Sequence, residues 1–573
     1  MLLDGAQRLN ENAALGEQLC NLWTGEVGKI ANASHGSTLP ARPLAPGRMG
    51  RMSATRSTTP TATSDYDAIV VGGGHNGLVC AAYLARGGLR TLIVEARDSV
   101  GGTAASEEFA GAMVNICNCD HITFRTTPVI EELGLARHGL RYLDVEPAQV
   151  NMSWSGGAAW ASYHSLEQTL DSIGRNYPQE VDGYRRYVKA AMPAVKLVFD
   201  AANDPPSFGG LTKKVLAKKG RGVSTLLRWS RRTAADVMRE FFTTDALQGP
   251  GMLVGPMVWG ISPEFKGSGL GALTYALRHV GTVGRPVGGS GEVPRTLRAA
   301  FELAGGTVRT GTRVAAITCE GERVHGVTLT DGTEVTAPII ISACNPHETF
   351  LSWLTNPPPQ AQGMVERWRA IPHDDGYESK LDAVMTSVPH LRAAQLAGLD
   401  GDLTATYAIA PTLADMHRGY QLMASGGVLE RPGLIANVPS VGDTTLAAKD
   451  RHILSLETLY TPYGLPGGWA SSGEPARWLD LFSGLVEPGF KDSIVEWRAM
   501  TPDRYEREFH LPHGHATSFA GGPLAALHNK NPELTRYETP VKGLYITGAA
   551  TFPGAGVWGA SGRNAALTVL RGV

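Results

Sequence analysis

Cysteine is scarce in this chain, with six residues in 573, at Cys20, Cys80, Cys117, Cys119, Cys319 and Cys344. None stands in a C-x-x-C or in a zinc-type double pair, so a disulfide framework, a redox dithiol and a metal centre are not expected. A surplus of either charge is also missing: 52 Lys+Arg face 54 Asp+Glu, which excludes the global positive field of a dedicated nucleic-acid binder. No apolar run reaches the roughly 18 residues of a membrane-spanning helix. No Ser/His/Asp or Cys/His nucleophile arrangement stands out. The chain reads as a soluble, cytoplasmic protein. What it has in quantity is glycine, 69 residues, together with 43% hydrophobic residues, enough to bury a large core across two to four domain-sized units.

Residues 1–64 differ from the rest. Between Glu26 and Asp65 there is no acid, while Lys29, Arg42, Arg48, Arg51 and Arg56 stand among Ser, Thr and Pro. That composition predicts a disordered tail. It lacks the apolar stretch of a secretory signal, and Asp4, Glu11, Glu17 and Glu26 argue against a mitochondrial leader. A start at Met49 or Met52 is the alternative.

The strongest signal follows. Tyr66–Val71 is an apolar run suited to a buried parallel strand. It ends in Gly72-Gly73-Gly74-His75-Asn76-Gly77, in which Gly72, Gly74 and Gly77 spell G-x-G-x-x-G. A helix over Leu78–Arg86 is predicted, stopped by Gly87-Gly88, and a second strand, Arg90–Val94, delivers Glu95. In such a unit the first glycine permits a tight turn, the second lets backbone approach a pyrophosphate, and the third lets helix and strand pack closely. The helix N-terminus, opened by His75 and Asn76, offers N–H donors to phosphate. Glu95, 18 residues beyond Gly77, stands where an acid accepts from an adenosine ribose and disfavours a 2′-phosphate.

The run after the acid, Glu95-Ala96-Arg97-Asp98-Ser99-Val100-Gly101-Gly102-Thr103, resembles the flavoprotein family of amine oxidases and phytoene desaturases, whose extension closes over the phosphates of FAD. Near the C-terminus a strand, Gly543–Ile546, runs into Thr547-Gly548-Ala549 and then Phe552-Pro553-Gly554-Ala555-Gly556-Val557-Trp558-Gly559, ahead of a helix. Gly554, Gly556 and Gly559 repeat G-x-G-x-x-G without an acidic second strand after them. This points to a loop and helix N-terminus facing the same cofactor. The segment resembles the C-terminal flavin motif of bacterial-type phytoene desaturases, and within that superfamily the branch called pyridine nucleotide-disulphide oxidoreductase domain-containing protein 2. Many relatives carry Gly-Asp where this chain has Gly548-Ala549, so the ribityl contact at Ala549 departs from the family pattern.

The resemblance implies an α/β fold: a Rossmann-like FAD-binding domain with a parallel sheet, interleaved with an α+β substrate domain. FAD-binding pieces are expected at 65–150, 285–345 and 536–573, and substrate pieces at 151–284 and 346–535. In the middle piece a helix over Val293–Leu303, strands Val308–Val314, Val324–Leu329 and Ile339–Ala343, backbone at Val314 meeting the adenine, and Cys344-Asn345 at the cofactor are expected. The implied contacts to FAD are Gly72, Gly74, His75, Asn76, Gly77, Glu95, Ala96, Arg97, Gly101, Gly102, Thr103, Val314, Gly548, Ala549, Gly556, Val557 and Trp558.

Outside these pieces the signals thin out. Leu247–Trp259 is apolar but broken by Gly and Pro, which forbids one straight helix; it reads as core, with an apolar tunnel wall as the alternative. Lys213–Arg239 carries nine cations among apolar residues and reads as a solvated helical face, with contact to an anionic membrane surface as the alternative. His510, His513 and His515 have neither ligand spacing nor a neighbouring carboxylate in sequence, so no metal site is expected. His515 is the candidate for proton handling, and Asp120 and His121 are candidates for approaching the ring. The expected function is hydride transfer between a carbon skeleton and flavin, dehydrogenating or isomerising an apolar polyene, isoprenoid or fatty acyl substrate, with oxygen or a quinone as electron acceptor. A flavin amine oxidase and a flavin-stabilised regulatory protein are the rivals.

Overall fold

The computed structural model describes residues 64–117, 120–396, 398–399, 404–516 and 530–573. The tail expected at 1–64 lies, but for Ser64, outside them. Residues Tyr66–Val573 form one unit. In chain order its main elements are β1 (Ala68–Val71), α1 (His75–Arg86), β2 (Thr91–Val94), the hairpin β3 (Ser106–Phe109) and β4 (Ala112–Asn115), β5 (Gln149–Ser153), β6 (Trp160–Ser162), α2 (Val181–Ala202), α3 (Glu292–Leu303), β7 (Thr307–Arg309), β8 (Ile340–Ser342), β9 (Glu378–Met385), β10 (Thr406–Ala410), β11 (Gly433–Asn437), β12 (His452–Leu459), β13 (Ile494–Met500), α4 (Pro502–Phe509), β14 (Leu544–Ile546) and α5 (Ala560–Gly572).

Two sheets organise it. The first has the order β14–β8–β1–β2–β7, with every neighbouring pair parallel. Its strands are short and apolar because both faces are covered, one by helices and the other largely by the antiparallel sheet that begins at Val314; β1 and β2 are buried at every position. Ile69, Leu92 and Ile340 face one core, whereas Val70, Ile93 and Ile341 face α1, α3 and α5. The second sheet has the order β13–β9–β12–β11–β10–β5–β6, antiparallel except for β10 on β5. Alternation along β9 sends Leu381, Ala383 and Met385 towards Trp478 and Phe482 of the helix Glu474–Ser483. Glu378, Lys380 and Asp382 take the other face, where Lys380 Nζ donates to Asn115 O at 2.8 Å at the end of β4.

The region predicted as one strand, Val308–Val314, is two. β7 ends at Arg309, and a new strand, Val314–Glu320, starts a separate three-stranded antiparallel sheet. The break arises because Gly311 N donates to Arg97 O at 2.8 Å and Thr312 N to Glu95 O at 2.9 Å, bending the chain back over the end of β2; Gly311 takes φ +60° to make the turn. In 247–259, a helix Asp245–Leu253 gives way to a single turn at Met257–Trp259. Leu247, Met252, Leu253 and Met257 are fully enclosed and belong to the core, whereas Val254 and Val258 are half-buried and Trp259 is exposed. The basic stretch folds into three short helices, Phe208–Ala217, Val223–Trp229 and Ala234–Phe241. Several of its cations are paired: Lys214 with Asp204 and Lys218 with Asp200, both at 2.7 Å, and Arg239 with Glu264 at 2.5 Å. No helix among the described residues is long and apolar enough to cross a membrane.

Candidate functional site

All candidate nucleotide contacts before residue 104 gather at the carboxyl ends of the parallel strands, where β1 lies between β8 and β2 and the strand order reverses, as ligand crevices in such sheets do. The three glycines of the first turn have distinct geometries. Gly72 sits at φ +98°, and a Cβ there would meet Cys344 Sγ at 2.8 Å. A Cβ on Gly77 would lie 2.1 Å from Gly72 O, so the helix can approach the strand only without one. A Cβ on Gly74, the N-cap of α1, would meet no protein atom within 4 Å.

Glu95 is buried, with Oε2 accepting from Gly73 N at 2.7 Å and Oε1 from Arg97 N at 2.8 Å. The carboxylate thus ties the end of β2 to the glycine turn and keeps lone pairs for a sugar. Gly101 N donates to Gly73 O at 2.8 Å, closing the Gly101-Gly102-Thr103 turn onto the first one, with Ala96 half-buried between. Arg97 stacks on the Phe509 ring at 4.0 Å and pairs with Glu107 at 2.6 Å, yet its Nη1 is buried without any partner. Val314 lies just past the chain tied to Glu95 and Arg97, buried in the adjoining core.

The C-terminal loop joins this site through α5, which crosses α1: a Cβ on Gly562 would lie 2.1 Å from Asn76 O, and Asn76 Oδ1 accepts from Gly562 N at 3.4 Å. The second glycine triplet therefore belongs to the same sheet as the first, following β14 at its edge. Gly548 takes φ +111°, with its N–H donating to Ser561 Oγ at 3.1 Å, and Ala549 beside it is half-buried. Gly556, at φ +97°, would again point a Cβ into open space. Val557 O accepts from Thr123 Oγ1 at 2.9 Å, and Trp558 packs edge-on against Phe199.

An open lane therefore runs past Gly74 and Gly556, with an unsatisfied guanidinium N–H, a helix N-terminus and a carboxylate at one end. That donor set fits an adenine dinucleotide of FAD type: the N–H groups and Arg97 for the diphosphate and Glu95 for the ribose.

Two histidines adjoin the lane. His75 hydrogen-bonds the backbone of Gly556, and burial pulls its pKa down to about 4. His121 is bonded to Tyr142 Oη at 3.0 Å and Ser290 Oγ at 3.2 Å, and burial pulls it down to about 3, partly opposed by Asp120. Both rings are expected to stay neutral between about pH 5 and 8; imidazole nitrogen shifts in NMR should be flat over that range, and a midpoint near 6.5 in either would refute it. Asp120 does not point at a free lane: its carboxylate is held by Arg285 Nε at 2.6 Å and by Thr406 Oγ1, bracing β10 of the second sheet.

The polar face of the second sheet carries residues that the sequence reading passed over. Glu378 on β9 and Glu457 on β12 hydrogen-bond to each other, and Cys117 Sγ donates to Glu378 Oε1 at 3.8 Å. Burial raises both carboxyls, Glu457 the more because Glu378 stands beside it. Both are surrounded by protein yet retain some accessible surface, so they line interior space. Two carboxyls that share one proton can accept or return it. The nearest cation, Lys380, is spent on Asp382 and Asn115 O. A signal was present: in Glu378-Ser379-Lys380-Leu381-Asp382 charge recurs at every second residue, the mark of a strand with one polar face.

His515 packs its ring 5.6 Å from Tyr377, next to Glu378, and burial lowers its pKa. His513 does have a carboxylate partner, Asp375 at 2.7 Å, contrary to the sequence reading, because the turn before β9 folds back over 510–515. Its ring stacks between His373 and Tyr463. Among the described residues no group of three His, Cys, Asp or Glu side chains could hold a metal ion.

Comparison with known proteins agrees with this geometry. The chain is 30% identical over 565 residues to pyridine nucleotide-disulfide oxidoreductase domain-containing protein 2 of Mus musculus, spanning 88% of this chain and 94% of that protein. It is 26% identical over 539 residues to a limonene dehydrogenase polypeptide of Castellaniella defragrans, again spanning 88% and 94%. The structure of cyclohexylamine oxidase from Brevibacterium oxydans superposes with a TM-score of 0.55 at 16% identity, over 89% of this chain and 99% of that one. The fold is accordingly a parallel-sheet Rossmann-like domain joined to a mixed-sheet substrate domain. The model of the family described as flavin containing amine oxidoreductase matches residues 77–374, and with it the chain belongs to that family of FAD-dependent oxidoreductases.

Proposed function

We propose that this flavin-containing oxidoreductase dehydrogenates or isomerises an apolar substrate of the isoprenoid, polyene or fatty acyl class, passing electrons on to oxygen or a quinone. The observation that carries the reading is the similarity, along 88% of the chain, to a relative named for dehydrogenation of limonene, an uncharged terpene. FAD, when bound, supplies the hydride acceptor.

The chain's own residues do the rest. The turn at Gly72–Gly77, the N-terminus of α1 and Arg97 hold the diphosphate, Glu95 the ribose, and the loop at Gly548–Trp558 the flavin end. Removing hydride from one carbon of a saturated pair requires the neighbouring carbon to give up a proton, and the carboxyl pair Glu378–Glu457 is the group suited to accept it. Glu95 disfavours a 2′-phosphate at this site, and oxygen or a quinone is favoured over NAD(P)H as electron partner because the one fingerprint with the right context is assigned to FAD. Phe208 and Leu216, 66% and 62% exposed on the basic helix Phe208–Ala217, support peripheral contact with a membrane surface that stores lipophilic substrate.

The test is an absorbance spectrum of the purified protein, followed by anaerobic incubation with terpene, polyene, fatty acyl and amine compounds. Bleaching of a yellow protein by one of the first three is the expected result. Bleaching by amines alone would make it an amine oxidase, and a flavin that no donor bleaches would make it a regulatory protein.

A further inference from the structure

We propose that Arg278 recognises a carboxylate at one end of the substrate, making the substrate an apolar acid; this rests on the reading above and narrows it. Arg278 ends the helix Thr274–Arg278, inside the substrate domain, and is 9% exposed. Its Nε is buried without any hydrogen-bond partner, and its Nη2 donates to the neutral amide oxygen of Gln149. Asp120 attracts it electrostatically. Asp120 is already committed to Arg285, which also donates to Thr404 O at 2.8 Å and Thr406 Oγ1 at 3.2 Å.

Arg278 and Arg285 both draw on the carboxylate of Asp120. The other titratable neighbours bring no negative charge. Tyr184 is hydrogen-bonded to His279, Tyr275 donates to Leu247 O, and burial keeps both phenols protonated. Burial also lowers His279 and His121, which stay neutral. A buried guanidinium with an unpartnered N–H that shares a carboxylate with a second guanidinium is costly unless an anion completes it, and a carboxylate is the anion whose two oxygens match the guanidinium edge.

A cleft of about 400 Å³ lies two to four residues further along the chain: Val280, Gly281 and Thr282 line it together with Arg125, Lys196, Phe199 and Asp200. Phe199 is the residue that packs against Trp558 of the C-terminal loop. Of the cations at this wall, Arg125 is paired with Asp144 and Lys218 with Asp200, so Lys196 would draw in an acid, and Phe199 and Trp558 would meet its hydrocarbon part.

The experiment uses the full-length, FAD-loaded protein and calorimetric titration with decanoate and, separately, methyl decanoate, which differ at the charged end. The wild-type protein is expected to bind the acid at least 10-fold more tightly than the ester. Arg278→Met should abolish that preference while ester binding persists, and Arg278→Lys should keep part of it. Lys542→Ala, an exposed cation paired with Glu322 and not part of the cleft wall, should leave the preference in place. Equal binding of acid and ester by the wild type, failure of both to bind, or a preference that survives Arg278→Met would each overturn the proposal. The wild-type comparison decides even if Arg278→Met does not fold. Bleaching of the flavin by an uncharged terpene without any acid preference would remove this inference and leave the proposed function standing; bleaching by amines alone would remove both.

Discussion

Gly74→Ala is expected to give a protein that folds and melts like its parent but emerges from purification without bound flavin, whereas Gly77→Ala, three residues on, should lose stability as well. The contrast follows from what each new methyl group would meet. At Gly74 the backbone is at φ −63° and ψ 167°, a conformation open to alanine, and no protein atom lies within 4 Å of the added Cβ. The cost to the fold is that of a poorer N-cap, at most about 1 kcal/mol. The methyl group does, however, occupy the space through which a diphosphate reaches the N–H groups of α1, and FAD affinity should fall by about 100-fold or more. At Gly77 the Cβ would sit 2.1 Å from Gly72 O. Main chain on both sides must move, which costs about 1–3 kcal/mol or more, and the turn that holds the cofactor is distorted with it. Bound flavin read at 450 nm or so and a thermal melt separate the outcomes. A yellow Gly74→Ala protein with unchanged affinity would show that the lane past Gly74 is not the cofactor site.

The second large effect concerns pH. Glu457 carries a raised pKa because it is buried beside Glu378, whose carboxyl it hydrogen-bonds. A carboxyl raised in the folded chain binds a proton there that the unfolded chain has already released, so its contribution is fully present below the ordinary Glu value of 4.5 and is lost as pH rises through the folded value. Above neutrality the wild-type protein should therefore lose stability as the pair is forced to carry two charges, by roughly 2–4 kcal/mol between pH 6 and pH 9. Glu457→Gln keeps a hydrogen bond to Glu378 and cannot ionise. It is expected to match the parent near pH 5 and to melt at higher temperature at pH 9. Parallel melting profiles for the two proteins from pH 5 to pH 9 would show that the pair does not share a proton.

Part of this molecule could be read locally. The cofactor turn is a contiguous string in which each glycine answers a short-range demand: a positive φ at Gly72, an open approach at Gly74, a helix-to-strand contact at Gly77. The same holds for Glu95, whose partners Gly73 and Arg97 lie within 22 residues. The bend at Gly311 was missed because it is imposed by Glu95 and Arg97, far earlier in the chain, and not by any local pattern.

The substrate side was not legible in the same way. Asp120 meets Arg285 across 165 residues, Lys380 meets Asn115 across 265, and Cys117 meets Glu378 across 261. Glu378 and Glu457 become neighbours only because β9 and β12 are hydrogen-bonded in a register that pairs Lys380 with Glu457. A one-residue slip would have sent each to the opposite face. The sequence by itself determined the family, the cofactor and the turn that holds it, since a nucleotide's phosphates are bound by consecutive backbone N–H groups whose conformation depends on adjacent residues. Which acids share a proton, and which arginine keeps an unpartnered N–H, was decided by the tertiary structure alone, since charge compensation depends on distances between strands and helices remote in the chain.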